Sequence, residues 1–595
     1  MSRAASANPD PAAAPDAPPT PASPPVPLSS LPAPPPPEPP LFSGLRERAA
    51  GVFLHPTALP SDTGVGNIGA PARRFLEFAA GAGFTWWQVC PLGPTGYGDS
   101  PYQCFSSFAG NPYLVELEPL RDAGLLADAD LAPLRRLSRE RVEFGYLWEH
   151  HTRALDTAAE KFLAATGAAG SAKNAATGAA KIYGGARAFA AFRRENAAWL
   201  DDYALFTALK KHFAGTPWNK WDAAFRSAAR ARATLATTGT GGIAGTAAAI
   251  TGTAAKTAVI QFFFDAQWHL LRDAARAAGV RLLGDLPIYV APDSADVWAN
   301  PELFQLDPAT GAPRAIAGVP PDYFSPDGQL WGNPLYDWRA HARDHYRWWL
   351  RRLGANLARF DAVRLDHFRG FHDYWAVPMT PPVTPPVTPS SVTPPSAARG
   401  SWQPGPGLDF FRAVRRELGD AALVAEDLGD MSAGVHALRR AAGLPGMAVL
   451  QFAFGGDASN PYLPHNHRRD TVIYAGTHDN DTTAGWYATA AERERDAFRR
   501  YFGADGAQPH WTLIHAAYAS PAALAVVSLP DILGLGTEAR FNTPGRAAGN
   551  WQWRLTEEQL ATAAAFHAPN LRVLATLTGR YQPPPTNHRP LATDH

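Results

Sequence analysis

Eight short apolar runs, each closed by a polar or glycine-rich turn, recur along this chain with helical patterns between most of them. In order they are GVFLHP around Val52, WWQVCPLGP around Val89, VRLLGDLP with Asp285, and AVRLD ending at Asp366. The series continues with ALVAED at Glu426, AVLQFAF at Gln451, TVIYAGTHD around Ile473 and AALAVVSLPD around Val526. Strand and helix alternating in this way predict an α/β fold: a (β/α)8 (TIM) barrel with helical insertions between strands. In such a barrel the carboxyl ends of the strands meet on one face, where active sites are built.

Other stretches cannot belong to that framework. Residues 1–41 are dominated by Pro, Ala and Ser, which bury too little apolar surface to order a chain, and the expectation is a disordered segment. A plastid transit peptide is one reading of it. Arg3 is its only basic residue, while Asp10, Asp16 and Glu38 are acidic, against the Arg-rich, acid-poor signature. Residues 42–595 then form the barrel, interrupted by low-complexity islands at about 164–180, 229–255 and 379–398, expected to be loop insertions. Within the second, Ala233 to Ala255 is long enough to cross a bilayer, but it consists mostly of Ala, Gly and Thr, so a membrane span is the weaker reading.

Composition narrows the function. Of 595 residues, 54 are Lys or Arg and 54 are Asp or Glu, so no global basic field exists to hold a nucleic acid or an anionic membrane. The 18 Trp and 17 Tyr suit stacking on sugar faces, although ordinary core usage accounts for them equally. Cys90 and Cys104 are the only cysteines, without CxxC spacing, which excludes a disulfide scaffold and disfavours a structural metal.

Asp285, Asp366, Glu426 and Asp479 all fall at the ends of apolar runs. A single acid there is commonly a helix cap or turn former; four on one face suit glycosidic chemistry, which needs a nucleophile or base on one side of the sugar and a proton donor at the leaving oxygen. Arg364 lies two residues before Asp366 and shares its face of a strand, where a guanidinium favours the ionised carboxylate. Glu426 follows an apolar strand, where poor solvation would raise its pKa. Competing uses fail: DNDTT from Asp479 has Ala484 and Ala490 where a calcium loop needs Gly and Glu, GPTGYGDS lacks GK[ST], and no G-x-S-x-G elbow occurs.

Several longer motifs run in fixed order: PLGPTGYGDSPYQ from Pro91, GNPYL from Gly110, GDLPIYVAPDSADVW from Gly284 and GVPPDYFSPDGQLWGNPLYDW from Gly318. RLDHFRGF from Arg364, AEDLG from Ala425, GTHDNDTT from Gly476 and GNWQWR from Gly549 follow. With these the chain resembles the 4-α-glucanotransferases (amylomaltases, disproportionating enzymes) of glycoside hydrolase family 77, the plant and algal plastid type nearest, from about Gly51 to Tyr581. The resemblance implies Asp366 as nucleophile, Glu426 as acid/base and Asp479 as transition-state stabiliser. It implies Arg364 and His478 around the nucleophile and donor sugar, Asp285 and Trp331 on the donor side, and Ser100, Tyr102, Gln329, Asn333 and Asn542 near the cleavage point. Tyr323 and Phe324 match the family's mobile acceptor-side loop, and Tyr97 a secondary glucan site. No metal or other cofactor is implied; the implied partners are maltooligosaccharides and starch-derived α-1,4-glucans, in a plastid or else the cytoplasm.

Ser528, Pro530 and Phe541 depart from the family pattern of Pro, Gln and Met. Pro530 removes a backbone donor and any side-chain amide, so weaker sugar binding near the eighth strand is expected. The Pro-rich island 379–398 is expected to leave the fourth strand on the catalytic face. An α-1,4-glucan hydrolase on the same barrel, or a glucan-binding protein without activity, are the alternatives; the intact Asp366, Glu426 and Asp479 argue against the second.

Overall fold

A computed structural model describes residues 39–96, 98–167, 178–237, 244–321, 327–379, 395–429 and 431–582. Twelve strands are present among them: β1 (Ala49–Phe53), β2 (Trp86–Gln88), β3 (Arg281–Leu286), β4 (Ala315–Val319), β5 (Gln329–Pro334) and β6 (Ala362–Leu365). The others are β7 (Asp373–Pro378), β8 (Ser401–Pro404), β9 (Leu423–Ala425), β10 (Gly446–Val449), β11 (Thr471–Tyr474) and β12 (Leu524–Ser528).

Eight of these are the eight predicted runs, and they pair in parallel in the order β10-β11-β12-β1-β2-β3-β6-β9. The two ends of that order approach each other. Ala425 N donates to Pro445 O at 2.9 Å, and Met447 N donates to the Asp427 carboxylate at 2.7 Å. A side chain thus stands in for part of the ladder where β9 meets β10, and the eight strands form a nearly closed barrel. Strands buried on both faces read as continuous apolar runs, and β1, β11 and β12 are buried throughout. Inside the barrel the Tyr474 hydroxyl donates to Gln88 Oε1 at 2.9 Å, which satisfies a buried polar pair.

Helices cover the outside. The helix Arg347–Arg359 buries Trp348, Trp349 and Leu353 against the barrel, and each large apolar side chain so buried contributes roughly 1.5–3 kcal/mol. Gly284, one position before Asp285 on β3, faces this layer, and a Cβ there would collide with the Phe360 ring. Alternation along the strand puts Asp285 on the opposite, inner side.

Two expectations need correction. The island 229–255 is no loop: its described residues lie in the helices Ala228–Thr237 and Ala244–Ala277. Alanine is the best helix former, and Thr253 and Thr257 turn their hydroxyls back to the carbonyls of Ala249 and Thr253 instead of breaking the turn. The longer helix has the length and apolar composition of a membrane span. Half of its most apolar stretch is buried within the fold, where it packs on the helices Phe144–Thr166 and Gly185–His212.

The second correction concerns the Pro-rich island. β5, β4, β7 and β8 form an antiparallel sheet in that order, which the sequence reading did not anticipate, and the island lies in the connection between β7 and β8. It therefore leaves this added sheet and not barrel strand β6. Residues 380–394 lie outside the described residues, as do 1–38, the ten residues 168–177, Tyr97, Tyr323 and Phe324.

Candidate active site

Asp285 on β3 stands in register with Arg364 on β6, so their side chains meet at the inner face. Arg364 Nη1 lies 2.8 and 2.7 Å from the two Asp285 oxygens and 2.9 Å from Asp366 Oδ1. Arg364 Nε points at Met447 Sδ, 3.3 Å away. One guanidinium buried at the end of β6 thus ties two carboxylates from adjacent strands. Asp285 is 2% exposed, whereas 27% of the Asp366 side chain stays open to the site. The buried acid anchors the arginine and the open one remains available for chemistry.

Asp285 also accepts a hydrogen bond from the Tyr102 hydroxyl at 2.7 Å. The Tyr102 ring stacks on His478, with centroids 5.1 Å apart and planes 18° from parallel, and Ser100 Oγ accepts from the Tyr102 amide. His478 Nε2 is 3.4 Å from Asp479 Oδ2, and Asn542 Nδ2 donates to Asp479 Oδ1 at 2.6 Å. The turn after β6 brings in Glu426. His367 adopts the left-handed conformation, with φ at 47°, and its amide donates to Glu426 Oε2 at 2.7 Å; Leu428 N donates to Oε1 at 3.0 Å. Trp331 on β5 meets the His367 ring edge to face, with centroids 4.7 Å apart, and its Nε1 donates to Gln329 Oε1.

Electrostatics separates these carboxylates. Burial pushes the Glu426 carboxyl up to about 7, with Asp366 adding to the rise and Arg364 and the two amides opposing it. Burial also pushes Asp366 up, to about 6, against the pull of Arg364; Asp285 and Asp479 reinforce the rise. Asp479 moves the other way. Burial would raise it, but His478 and the hydrogen bonds from His478 and Asn542 hold it well below the usual carboxylate range. Burial lowers the His478 pKa, and the charge and hydrogen bond of Asp479 more than reverse this. At neutral pH Asp479 therefore keeps its charge, while Asp366 and Glu426 both hold a proton more readily than ordinary carboxylates and titrate as a pair.

Asp285, Arg364, Asp366, Glu426, His478, Asp479, Tyr102, Asn542 and Trp331 are thus gathered around one strand-end face. Asn333 is 4% exposed, with its amide taken by Gln103 and Val290 O, so in this structure it braces the loop. Pro530 is buried in the first turn of the short helix Leu529–Ile532, capped by Ser528 Oγ. An N–H is unpaired in a first turn anyway, so proline removes no ladder bond there, and a buried residue presents no side chain to a sugar. Phe541 packs edge to face on Phe53 and Trp553.

Sequence reasoning passed over His55 and Trp551. His55, at the end of β1, is buried near His478, and its pKa falls to about 3, first from burial and then from the His478 charge. Trp551 lies 5.8 Å from the His478 ring and takes a φ of 63°, rare for a bulky residue. Its place inside GNWQWR was the only available signal. Among the described residues, no group of three or more His, Cys, Asp or Glu side chains is disposed to hold a metal ion.

A (β/α)8 barrel whose strand ends carry carboxylates of divided proton affinity beside aromatic rings defines a carbohydrate-active enzyme. The 4-alpha-glucanotransferase family, glycoside hydrolase family 77, matches residues 54–560. The 4-alpha-glucanotransferase of Thermus thermophilus is 44% identical over 90% of this chain and 99% of its own length. The Arabidopsis thaliana protein named 4-alpha-glucanotransferase DPE1, chloroplastic/amyloplastic, is 37% identical over 90% of this chain and 86% of its own. An amylomaltase from Streptococcus agalactiae, solved in complex with acarbose, superposes with a TM-score of 0.79 at 33% identity, covering 90% of this chain and all of the other. The chain belongs to the 4-α-glucanotransferase family of glycoside hydrolase family 77, and its activity is that of a 4-α-glucanotransferase.

Proposed function

We propose that the protein transfers α-1,4-glucan segments between maltooligosaccharides or starch-derived glucans by a double displacement that retains the anomeric configuration. The Asp366 carboxylate attacks C1 of the donor while Glu426 gives its proton to the departing glycosidic oxygen, leaving a β-glycosyl ester on Asp366. Glu426, now ionised, takes the proton of an acceptor 4-hydroxyl as that oxygen attacks C1, which restores an α-1,4 bond and frees Asp366. The charge retained on Asp479, beside His478 and Asn542, stabilises the oxocarbenium-like transition state.

The observation that carries this reading is the geometry of the pair: Arg364 Nη1 holds Asp366 Oδ1 at 2.9 Å, and the amide of the next residue, His367, holds Glu426 Oε2 at 2.7 Å. Trp331 lies on the donor side in this scheme and Tyr102, Gln329 and Ser100 near the cleavage point, with Asp285 holding Arg364 in place. Tyr97, Tyr323 and Phe324 keep the roles the resemblance implies, at a secondary glucan site and over the acceptor. Transfer outruns hydrolysis when such aromatic walls hold an acceptor and exclude water.

The test is incubation with maltotriose and resolution of products by chain length. Glucose together with oligomers longer than the substrate is expected. Glucose and maltose alone would make water the acceptor and the protein a hydrolase in practice, and no products would leave a glucan-binding protein. A plastid address rests on the plant relative named chloroplastic/amyloplastic. Fusing residues 1–41 to a fluorescent protein and following its import tests it.

A further inference from the structure

A second cavity, of about 220 Å³, lies between the helices Gly185–His212 and Arg347–Arg359 and the segment after β3. None of Asp285, Arg364, Asp366, Glu426, His478 or Asp479 lines it. Its walls are aromatic. Phe108 and Trp199 lie parallel, with centroids 6.3 Å apart and planes at 11°, and Trp348 meets Phe108 edge to face at 6.2 Å. Trp199 is held from its other end, because its Nε1 donates to Asn196 Oδ1 at 3.0 Å.

Polar side chains stand among the rings. Asp296 is 4% exposed; its Oδ2 accepts from Ser107 N at 2.8 Å. Asn300 and Arg351 stand at the same cavity, and Asp202 at its mouth is neutralised by Arg232 at 2.5 Å. The partly open Trp199 face together with a carboxylate, an amide and a guanidinium suits a polyhydroxylated ring, since each hydroxyl both donates and accepts.

We infer that this cavity binds a single glucose unit, as free glucose or as the end of a glucan, away from the catalytic face. The volume is below the roughly 300–1,000 Å³ of pockets that enclose larger ligands, which limits the occupant to one ring. Glu195 and Asp296 outnumber Arg351 in the lining, a balance that favours a neutral sugar over a phosphorylated one. The choice of glucose among hexoses rests on the glucan chemistry proposed above.

The test uses the full chain with Asp366→Asn, so that sugars bind without turnover, and reads intrinsic tryptophan fluorescence against glucose and maltoheptaose. Ala198, exposed at the mouth, is changed to Arg to plug the cavity, and Trp199→Ala in a second protein removes the stacking face. Thermal melts verify the fold of each. The expected result is a saturable change at millimolar sugar whose half-saturation rises at least tenfold in both variants. A glucose response weakened in both variants assigns the free monosaccharide, and a weakened response to maltoheptaose alone assigns the chain end, while any part the variants leave unchanged belongs to the active site. Titrations identical in all three proteins, or no response in any, would overturn the inference. Failure of the maltotriose assay would sink the catalytic reading alone, because the fluorescence titration does not depend on turnover.

Discussion

The amide of His367, the residue that follows Asp366, donates to Glu426 Oε2 at 2.7 Å. Two carboxylates from different strands are thus coupled through one backbone turn, and that turn is left-handed at a non-glycine residue. His367→Gly should preserve the turn. His367→Val places a β-branched side chain where the left-handed conformation costs about 1–2 kcal/mol, so its unfolding free energy should fall by that amount relative to the glycine variant. If the valine turn opens, Glu426 loses a bond that favours its ionised form, and the alkaline limb of activity moves to higher pH in the valine variant only. Chemical denaturation and a pH series check both effects.

Activity should follow a narrow bell. Asp366 must be ionised to attack, so the rate falls as pH drops through about 6; Glu426 must be protonated to donate, so it falls again as pH rises through about 7. A profile of kcat/KM against pH reads the pair as two apparent values. Glu426→Gln should abolish the alkaline limb along with most of the rate, and a limb unchanged in that variant would assign it to another group.

Asp366→Asn removes the attacking oxygen charge and should lower kcat by at least about 10³-fold while glucan binding persists. Loss of binding in parallel with kcat would instead make Asp366 a substrate-holding residue.

Arg364→Met strands the carboxylates of Asp285 and Asp366 without their shared counter-charge. Breaking a buried pair in this way costs about 3–5 kcal/mol, measurable by urea unfolding. The acidic limb should shift to higher pH, since the guanidinium pulls the Asp366 pKa down. Adding Asp285→Asn should restore part of the stability, because one of the two uncompensated charges is then gone.

Residues 380–394 can be replaced by a short turn. Pairing from Asp373 with Pro404 through Ala376 with Ser401 already fixes the hairpin, so acceptor-length preference on maltooligosaccharides should not change. A shifted product ladder would show that the segment reaches the acceptor.

The eight barrel strands could be read from sequence because parallel strands buried on both faces leave unbroken apolar runs, and their acids stand where those runs stop. The antiparallel sheet could not. β4 is AIAGV and β5 is QLWGNP, and their glycines and proline read as turn chemistry. The Ala-rich stretch 229–255 lacked the apolar stripe that marks an amphipathic helix, so the propensity of alanine was outweighed by its low complexity. At the site, Asp285, Arg364, Asp366, Glu426 and Asp479 were visible as residues at strand ends. The resemblance ordered the roles of the last three, and no spacing rule would have done so. The left-handed turn at His367, the contacts of His478 and Asn542 that set Asp479 apart from Glu426, and the approach of His55 and Trp551 to His478 depend on packing between segments far apart in the chain.

Three joints along the chain share a placement. Each joins points the fold holds independently: Gly167 to Gly178, Thr237 to Ala244, and Met379 beside β7 to the start of β8. Closing a flexible loop grows costlier only with the logarithm of its length, about 0.6 kcal/mol for each doubling. Changing the length of these joints is therefore expected to cost little stability, and no such joint separates Asp366, Glu426 or Asp479 from its strand. For an engineer the same three joints are sockets, where a reporter or a starch-granule anchor could be spliced in while the catalytic distances stay as they are.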